Sequence, residues 1–474
     1  MLKNVSCNVA GEGNHRDGKV RYVNSKFPPD LIIQDELHLI SGPLGTMVGL
    51  YESAVDFLTR KNIDGKDTWP KVIASTATIK GAKDQVRKIF NKSNTVTFPP
   101  PGIDQSDSFF WWETGNKGKM FVGLSFSQRS GKYSLAKLYA ALLQKIYLLR
   151  QSEKFMDDEI DPYWTLVGYY NSIRELGGAN RLVEDDVVKN MNFLADSIYE
   201  NKHNVRNPGA PGSGIDELTG RKTQREINEI RDKLEKSLPD NDVISVLLAT
   251  NMISVGIDIG RLSLMTINGQ PKSTTEYIQV TGRIGRRQKS PGSVFVLFYP
   301  YKPRDLSHYE NFGGFHNTMQ KHVEPSTLTP FSIPAYTRGI HAVFISMMRL
   351  SNNYLAGKKS ANDFKITDGE LATKFLLDRF KSVEQVNDDS SSFKEFKKKI
   401  ITFQEQWTKF IHDVTEDTSL VDTVWYNNPY DPYHKEAEKN PSVLMIEFAK
   451  RGEQYSDQFP ISTPESFRDV EQPI

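Results

Sequence analysis

Short apolar runs that end abruptly and alternate with stretches of helical periodicity leave this chain few folds to adopt. Leu31-Ile32-Ile33 is the first run, residues 47–58 carry apolar side chains at helical spacing, and Lys71-Val72-Ile73-Ala74 is the second run. A strand, helix, strand series of this kind predicts a parallel sheet with its functional loops at the strand C-termini. Phe98-Pro99-Pro100-Pro101-Gly102 then breaks structure, a helix is expected over 134–150, and residues 156–162 read as an acidic turn marking a boundary. A second series follows: a strand at 164–170, a helix around Asn190, a Gly/Pro/Asn loop at 201–214 and a charged helix at 224–236. It continues with strands at 243–248 and 264–267, a helix across 276–282, and a strand at 293–298. Beyond Pro300 strand signals fade into a mostly helical region with an exposed Ser/Asp/Lys-rich segment at 387–399, while the first 29 residues are loop-like. The expected fold class is α/β, divided at 1–150, 151–300 and 301–474, which suits the roughly 150 residues of an average domain.

The charge balance narrows function by exclusion. Sixty Lys and Arg against 59 Asp and Glu give a net charge of +1, so no global field draws the chain to nucleic acid or membrane, and any such binding must be local. Cys7 is the only cysteine, which excludes an internal disulfide and a cysteine-rich zinc site and suits a reducing cytoplasm. No apolar run approaches the roughly 18–20 residues that span a bilayer, and the opening residues lack a signal-peptide core. The expectation is a cytoplasmic protein without a membrane partner.

Chemistry concentrates at the strand ends. Asp35-Glu36-Leu37-His38 directly follows the first apolar run, where two adjacent carboxylates can divide the work: Asp35 holding Mg²⁺ on a nucleotide's phosphates, Glu36 orienting and deprotonating a water. A solvated acidic strand end would look the same. Ala74-Ser75-Thr76-Ala77-Thr78 closes the next strand; its hydroxyls can relay hydrogen bonds or simply form a turn. In the second series Leu248-Ala249-Thr250-Asn251 ends a strand, Gly256 permits a tight turn, and Asp258 can accept from a ribose hydroxyl. Gln279-Val280-Thr281-Gly282-Arg283-Ile284-Gly285-Arg286-Arg287 alternates glycines with guanidinium forks suited to phosphate oxygens, the alternative being a basic surface turn.

Together, these motifs occur in the order and relative spacing of superfamily 2 helicases. Residues 30–298 resemble the tandem RecA-like motor of a DExH-type helicase, from the acidic motif onward. The resemblance implies ATP and Mg²⁺ as cofactors, with Asp35 and Glu36 serving the metal and the attacking water. It implies that His38 and Thr76 to Thr78 couple hydrolysis to polymer, that Thr250 touches the nucleic-acid backbone, and that Gly256 and Asp258 are cofactor-binding, Asp258 meeting the nucleotide sugar. Gln279, Arg283 and Arg286 would reach the nucleotide from across a cleft. Ser172 and Thr219-Gly220-Arg221 are looser matches to polymer-contacting loops. A narrower likeness covers Pro28-Pro29-Asp30 through Gly45-Thr46, Phe98 to Asp104, Arg304-Asp305-Leu306-Ser307-His308-Tyr309-Glu310, Thr329-Pro330-Phe331 and Ser466 to Glu471. These residues resemble the helicase subunit of DISARM-type antiphage defence systems, which implies a DNA-directed motor working with other defence-system subunits.

A motor of this class uses a G-x-x-x-x-G-K-[ST] phosphate loop. Only Gly13-Asn14-His15-Arg16-Asp17-Gly18-Lys19 approaches it, and Val20 stands where a hydroxyl should hold Mg²⁺. The expectation is therefore a first lobe incomplete at its N-terminus, its missing helicase portion supplied by upstream sequence, and little ATPase from these residues alone. A catalytically silent nucleic-acid-binding or assembly subunit that keeps the motor shape is the alternative. His308, His316, His322 and His341 are irregularly spaced and read as packing or hydrogen-bonding residues, while Tyr309, Phe312 and Phe315 could support or stack on single-stranded polymer. Lys397-Lys398-Lys399 reads as a solvated helix face, the alternative being a phosphate contact.

Overall fold

In a computed structural model of the chain, the structure describes residues 28–76, 80–100, 107–112, 118–126, 130–197, 205–208, 214–240, 242–254, 258–287, 289–325, 327–356 and 360–416. Thr78, Gly256, the 13–20 segment and 466–471 lie outside them. The chain divides into two compact units, residues 1–98 with 325–474, and residues 99–324.

The first unit opens with β1 (Leu31–Gln34), α1 (Gly42–Thr59), the hairpin β2 (Lys61–Ile63) and β3 (Lys66–Thr68), then β4 (Lys71–Ala74) and α2 (Ala82–Phe90). β1 and β4 pair in parallel with Leu31 opposite Lys71 and Gln34 opposite Ala74, so both strands end at the same level. Leu37, Ile89, Phe90 and Leu328 form the small core beside them.

The second unit begins with the hairpin β5 (Asp107–Ser108) and β6 (Trp111–Trp112), then β7 (Met120–Ser125), α3 (Gly131–Gln151), α4 (Asp157–Trp164), β8 (Leu166–Tyr170), α5 (Ile173–Leu176) and α6 (Ala179–Arg181). It continues through α7 (Val188–Ser197), β9 (Ile215–Leu218), α8 (Gln224–Glu235), β10 (Val246–Ala249), β11 (Leu264–Asn268), α9 (Thr274–Thr281), β12 (Ser293–Phe298), α10 (Pro303–Glu310) and α11 (Phe312–Asn317). Six strands form one parallel sheet in the order β7-β12-β11-β8-β10-β9. Every residue of β8, β10 and β11 is buried, as expected of central parallel strands covered on both faces. Tyr277, Val280, Ile230 and Leu234 cover one face, and Leu135, Tyr139, Leu143 and Val187 cover the other. The helices thus wrap both sides of the sheet, a doubly wound form of the α/β class expected from the sequence.

The boundaries differ from the sequence reading in three places. β7 and α3, assigned above to 1–150, belong to the second unit, where β7 pairs with β12 along its whole length. The stretch read as an acidic turn is helical: Glu159 accepts from the Met156 N–H at 2.9 Å and three acids stand in the first turn of α4, both favourable at a helix N-terminus, while Arg150 in the last turn of α3 pairs with Asp157. The C-terminal helices α12 (Ile333–Ser351), α13 (Ile366–Glu384) and α14 (Ser391–Glu416) are not a separate domain. Their Ile340, Val343, Leu376, Phe380, Phe396 and Trp407 share one core with Leu50, Ala54 and Phe57 of α1. Trp407 stacks on Phe364 at 4.0 Å and donates to the Ala361 carbonyl. Arg379, fully buried, bonds the Asp56 carboxylate and the Ile89 carbonyl.

Candidate functional site

In the first unit the acidic motif sits where the sequence placed it, at the C-terminal end of β1. Ser75, just past β4, donates its hydroxyl to Asp35 Oδ1, and the Glu36 N–H donates to the same oxygen at 2.9 Å. The Leu37 N–H donates to the Ser75 carbonyl and the Ser75 N–H to the Gln34 carbonyl, so the ends of the two parallel strands are tied together around this carboxylate. The Ser75 hydroxyl first, then the Glu36 N–H, hold the Asp35 carboxyl below the usual carboxylate range. Both bonds fall on Oδ1 and leave Oδ2 as an oxygen ligand of the kind Mg²⁺ takes, one or two carboxylates sufficing when phosphates complete the shell.

Glu36 adopts the left-handed region at φ 53° and ψ 47°, costly for a residue with a Cβ and typical of functional turns. This turn starts the 3₁₀ segment Leu37–Leu39 and sets the Glu36 carboxylate 3.3 Å from His38 Nδ1, with His38 buried. Gln85, buried on α2, donates to the Ile40 carbonyl at 2.8 Å and the Leu37 carbonyl at 3.3 Å and fixes the far side of the loop. Ser75 is one of the relay hydroxyls the sequence offered, and its proximity to the acidic strand end follows from the parallel register; Gln85 was not singled out from the sequence. Thr76 is exposed.

In the second unit four expected residues, Ser172, Thr219, Arg221 and Thr250, lie on the C-terminal rim of the sheet, the side on which open α/β sheets bind ligands. Ser172 is the N-cap of α5 and accepts from the Glu175 N–H. Thr250 follows β10, and its N–H donates to the Leu218 carbonyl at the end of β9, next to Thr219. Thr219 and Thr250 are both buried; the Thr219 hydroxyl donates to Glu217 at 2.7 Å, and Thr250 Oγ1 is buried without a hydrogen-bond partner. Of the group only Ser172 and Arg221 are exposed.

The arginine motif follows α9, which carries Gln279, half-buried like Arg283. Arg286 pairs with Asp258 and donates from Nε to the Gly282 carbonyl at 3.1 Å, so the two residues expected on sugar and phosphate hold one another. Gly285 makes this turn possible: its φ is +65°, and a Cβ there would lie 2.3 Å from the Gly292 nitrogen.

Two further residues shape the rim. Asp305 accepts from the Gln270 N–H at 3.1 Å and the Tyr299 N–H at 3.0 Å, and Asn171 donates to the carbonyls of Asn268 and Gly269 at 3.2 Å. They pin the loop after β11. The histidines do structural work: His316 bonds Tyr277 and the Phe312 carbonyl, and His341 is buried on α12. No group of three or more metal-ligating side chains occurs among the described residues. Phe315 belongs to the sheet core and Phe312 packs against it, which corrects their reading as polymer-stacking residues. No helix of the described residues is long and apolar enough to cross a membrane.

Residues 189–288 match the helicase conserved C-terminal domain. The DISARM protein DrmA of Bacillus paralicheniformis is 44% identical over 394 residues, covering 80% of this chain and 34% of that protein. An uncharacterized ATP-dependent helicase of Methanocaldococcus jannaschii is 26% identical over 270 residues, covering 56% of this chain and 30% of that protein. Among solved structures, the DUF1998 helicase MrfA bound to DNA matches with a TM-score of 0.46 and 19% identity, over 67% of this chain and 35% of that one. The chain spans about a third of the length of the curated relatives it matches.

Proposed function

We propose, taking as premise that this chain is a helicase-family protein related to DrmA, that it is part of an ATP-dependent nucleic-acid helicase or translocase acting on DNA within an antiphage defence complex. The observation that carries this reading is the bond from Ser75 to Asp35, which joins the two first-unit motifs into one deprotonated, oxygen-bearing strand end. The 44% identity to DrmA supports the defence context and the other defence-system subunits as partners.

In this reading ATP supplies the phosphoryl group and Mg²⁺ the charge that offsets its oxygens, and the oxygen donor set of Asp35 and Glu36 fits such an ion. Asp35, held ionised, offers Oδ2 to the metal. Glu36, turned by its left-handed backbone toward His38, orients and deprotonates water. His38, Thr76 and Thr78 pass the state of that site to bound polymer. Gln279, Arg283 and Arg286 would address the phosphates, Arg286 by releasing Asp258, which would be free to accept from the sugar, with Gly256 on the nucleotide side. Ser172, Thr219, Arg221 and Thr250 form the polymer side, the two buried threonines by way of a local rearrangement of the rim. In domain terms, the first unit's strands belong to one RecA-like lobe and the six-stranded sheet is the other.

The test is ATP hydrolysis with and without single-stranded DNA, on the full-length protein. Polymer-stimulated hydrolysis that falls at least 100-fold in Glu36→Gln and Arg286→Ala supports the motor. Hydrolysis untouched by both substitutions refutes it. The departure of Gly13 to Val20 from a phosphate loop favours a second reading, a silent DNA-binding or assembly subunit. Tight, salt-dependent DNA binding indifferent to ATP, with no hydrolysis, would select it.

A further inference from the structure

Where β7 and β12 end, exposed aromatic side chains gather, among them Tyr301 at 70%, Phe193 at 53% and Tyr133 at 42% of their full exposure. They are physically linked. The Tyr301 ring lies 5.5 Å from that of Tyr299. Gly131, the first residue of α3, packs so closely on Tyr299 that a Cβ would fall 2.3 Å from its ring. Two residues on, Tyr133 shares the ammonium of Lys137 with Phe193, at 5.4 and 4.8 Å from the ring centroids. Lys302 stands 4.9 Å over Tyr299 and pairs at 3.3 Å with Glu175, on the short helix capped by Ser172. The strip therefore joins the part of the rim that holds Ser172.

Large exposed rings cost solvation free energy unless something covers them. Here the rings are interleaved with ammonium groups, and Lys137 contacts two rings and no carboxylate among the described residues. Ring faces that accept any base, beside cations that accept its phosphate, are what an unpaired strand requires. A duplex offers no free base faces, whereas an unpaired strand offers base faces and phosphates together. We propose that Tyr133, Phe193 and Tyr301, with Lys137 and Lys302, form a base-stacking platform for single-stranded nucleic acid, carrying a strand from Ser172 toward β7. The inference rests on the reading of the Ser172 side as the polymer side.

The test titrates the full chain with a single-stranded oligonucleotide containing 2-aminopurine and with a blunt duplex of the same length. Tyr301→Ala and Phe193→Ala each weaken single-strand binding by about five- to 150-fold and abolish the stacking quench of 2-aminopurine, whereas Tyr301→Trp retains both. Duplex binding stays within twofold. Lys137→Ala lowers the salt slope by about 0.7, and Lys137→Arg does not. Single-strand affinity and quench unchanged in a normally melting Tyr301→Ala/Phe193→Ala double variant overturn the platform, as does equal loss of duplex binding. Failure of the motor reading is distinct: no polymer-stimulated hydrolysis in the wild type while the stacking signal persists.

Discussion

Glu52 lies on α1 within the field of Arg379, Asp56 and Lys92, and burial first of all pushes its carboxyl up to about 7 from an ordinary 4.5. A carboxyl raised in the folded state contributes stability fully below 4.5, and that contribution is lost as pH rises through about 7. At about 1.4 kcal/mol per pH unit, the loss amounts to about 3 kcal/mol. His341, buried on α12, works in the opposite direction. Burial lowers its imidazole to about 4 from 6.5, so the unfolded chain binds a proton between those values that the folded chain refuses. Stability is then lost as pH falls, again by about 3 kcal/mol. In the wild type the two contributions nearly cancel between pH 4 and 7. Glu52→Gln removes one, so the variant should gain about 3 kcal/mol relative to the wild type as pH rises from about 4 to 8. His341→Leu should give the mirror-image slope. Urea unfolding followed by tryptophan fluorescence reads this directly, because Trp407 lies in the same core as α1 and α12. Parallel pH profiles for wild type and Glu52→Gln would refute the reasoning.

Other perturbations probe the site and its support. Ser75→Ala removes the chief cause of the depressed Asp35 carboxyl, so its titration should move to higher pH in a site-resolved NMR experiment; an unmoved titration contradicts the strand-end tie. Gly285→Ala forces a side chain into a positive φ and against the Gly292 backbone, and should cost about 2 kcal/mol or more in thermal unfolding while displacing Arg286 from Asp258. Wild-type melting would mean that the turn is not needed. Trp407→Ala empties the stacked site on Phe364 and should destabilise the first unit by about 3–5 kcal/mol; a loss below about 1 kcal/mol would deny the shared helical core.

Much of the second unit was legible because β8, β10 and β11 are predominantly apolar runs, the pattern of strands covered on both faces of a parallel sheet. β7 escaped notice because it is an edge strand, half-buried, with Gly123 in its middle where a Cβ would strike Phe312. Pro162 and the acids before it read as a turn, yet the same acids cap α4. The shared core of α1 with α12 to α14 joins residues some 300 positions apart, and no local pattern encodes such a contact. At the site, the motif residues fell on strand ends as expected, since strand boundaries are set by hydrophobic runs. Which hydroxyls are buried was not readable: Thr219 and Thr250 are closed off by strand neighbours that only the register brings near.

The central claim, that the Asp35–Glu36 strand end serves nucleotide hydrolysis coupled to a nucleic-acid strand, is met most directly by one measurement. Single-stranded-DNA-stimulated ATP hydrolysis is compared in wild type and Glu36→Gln, each as the full-length protein. The account predicts stimulation in the wild type and a fall of at least about 100-fold in the variant with DNA affinity retained; equal hydrolysis in the two proteins would contradict it.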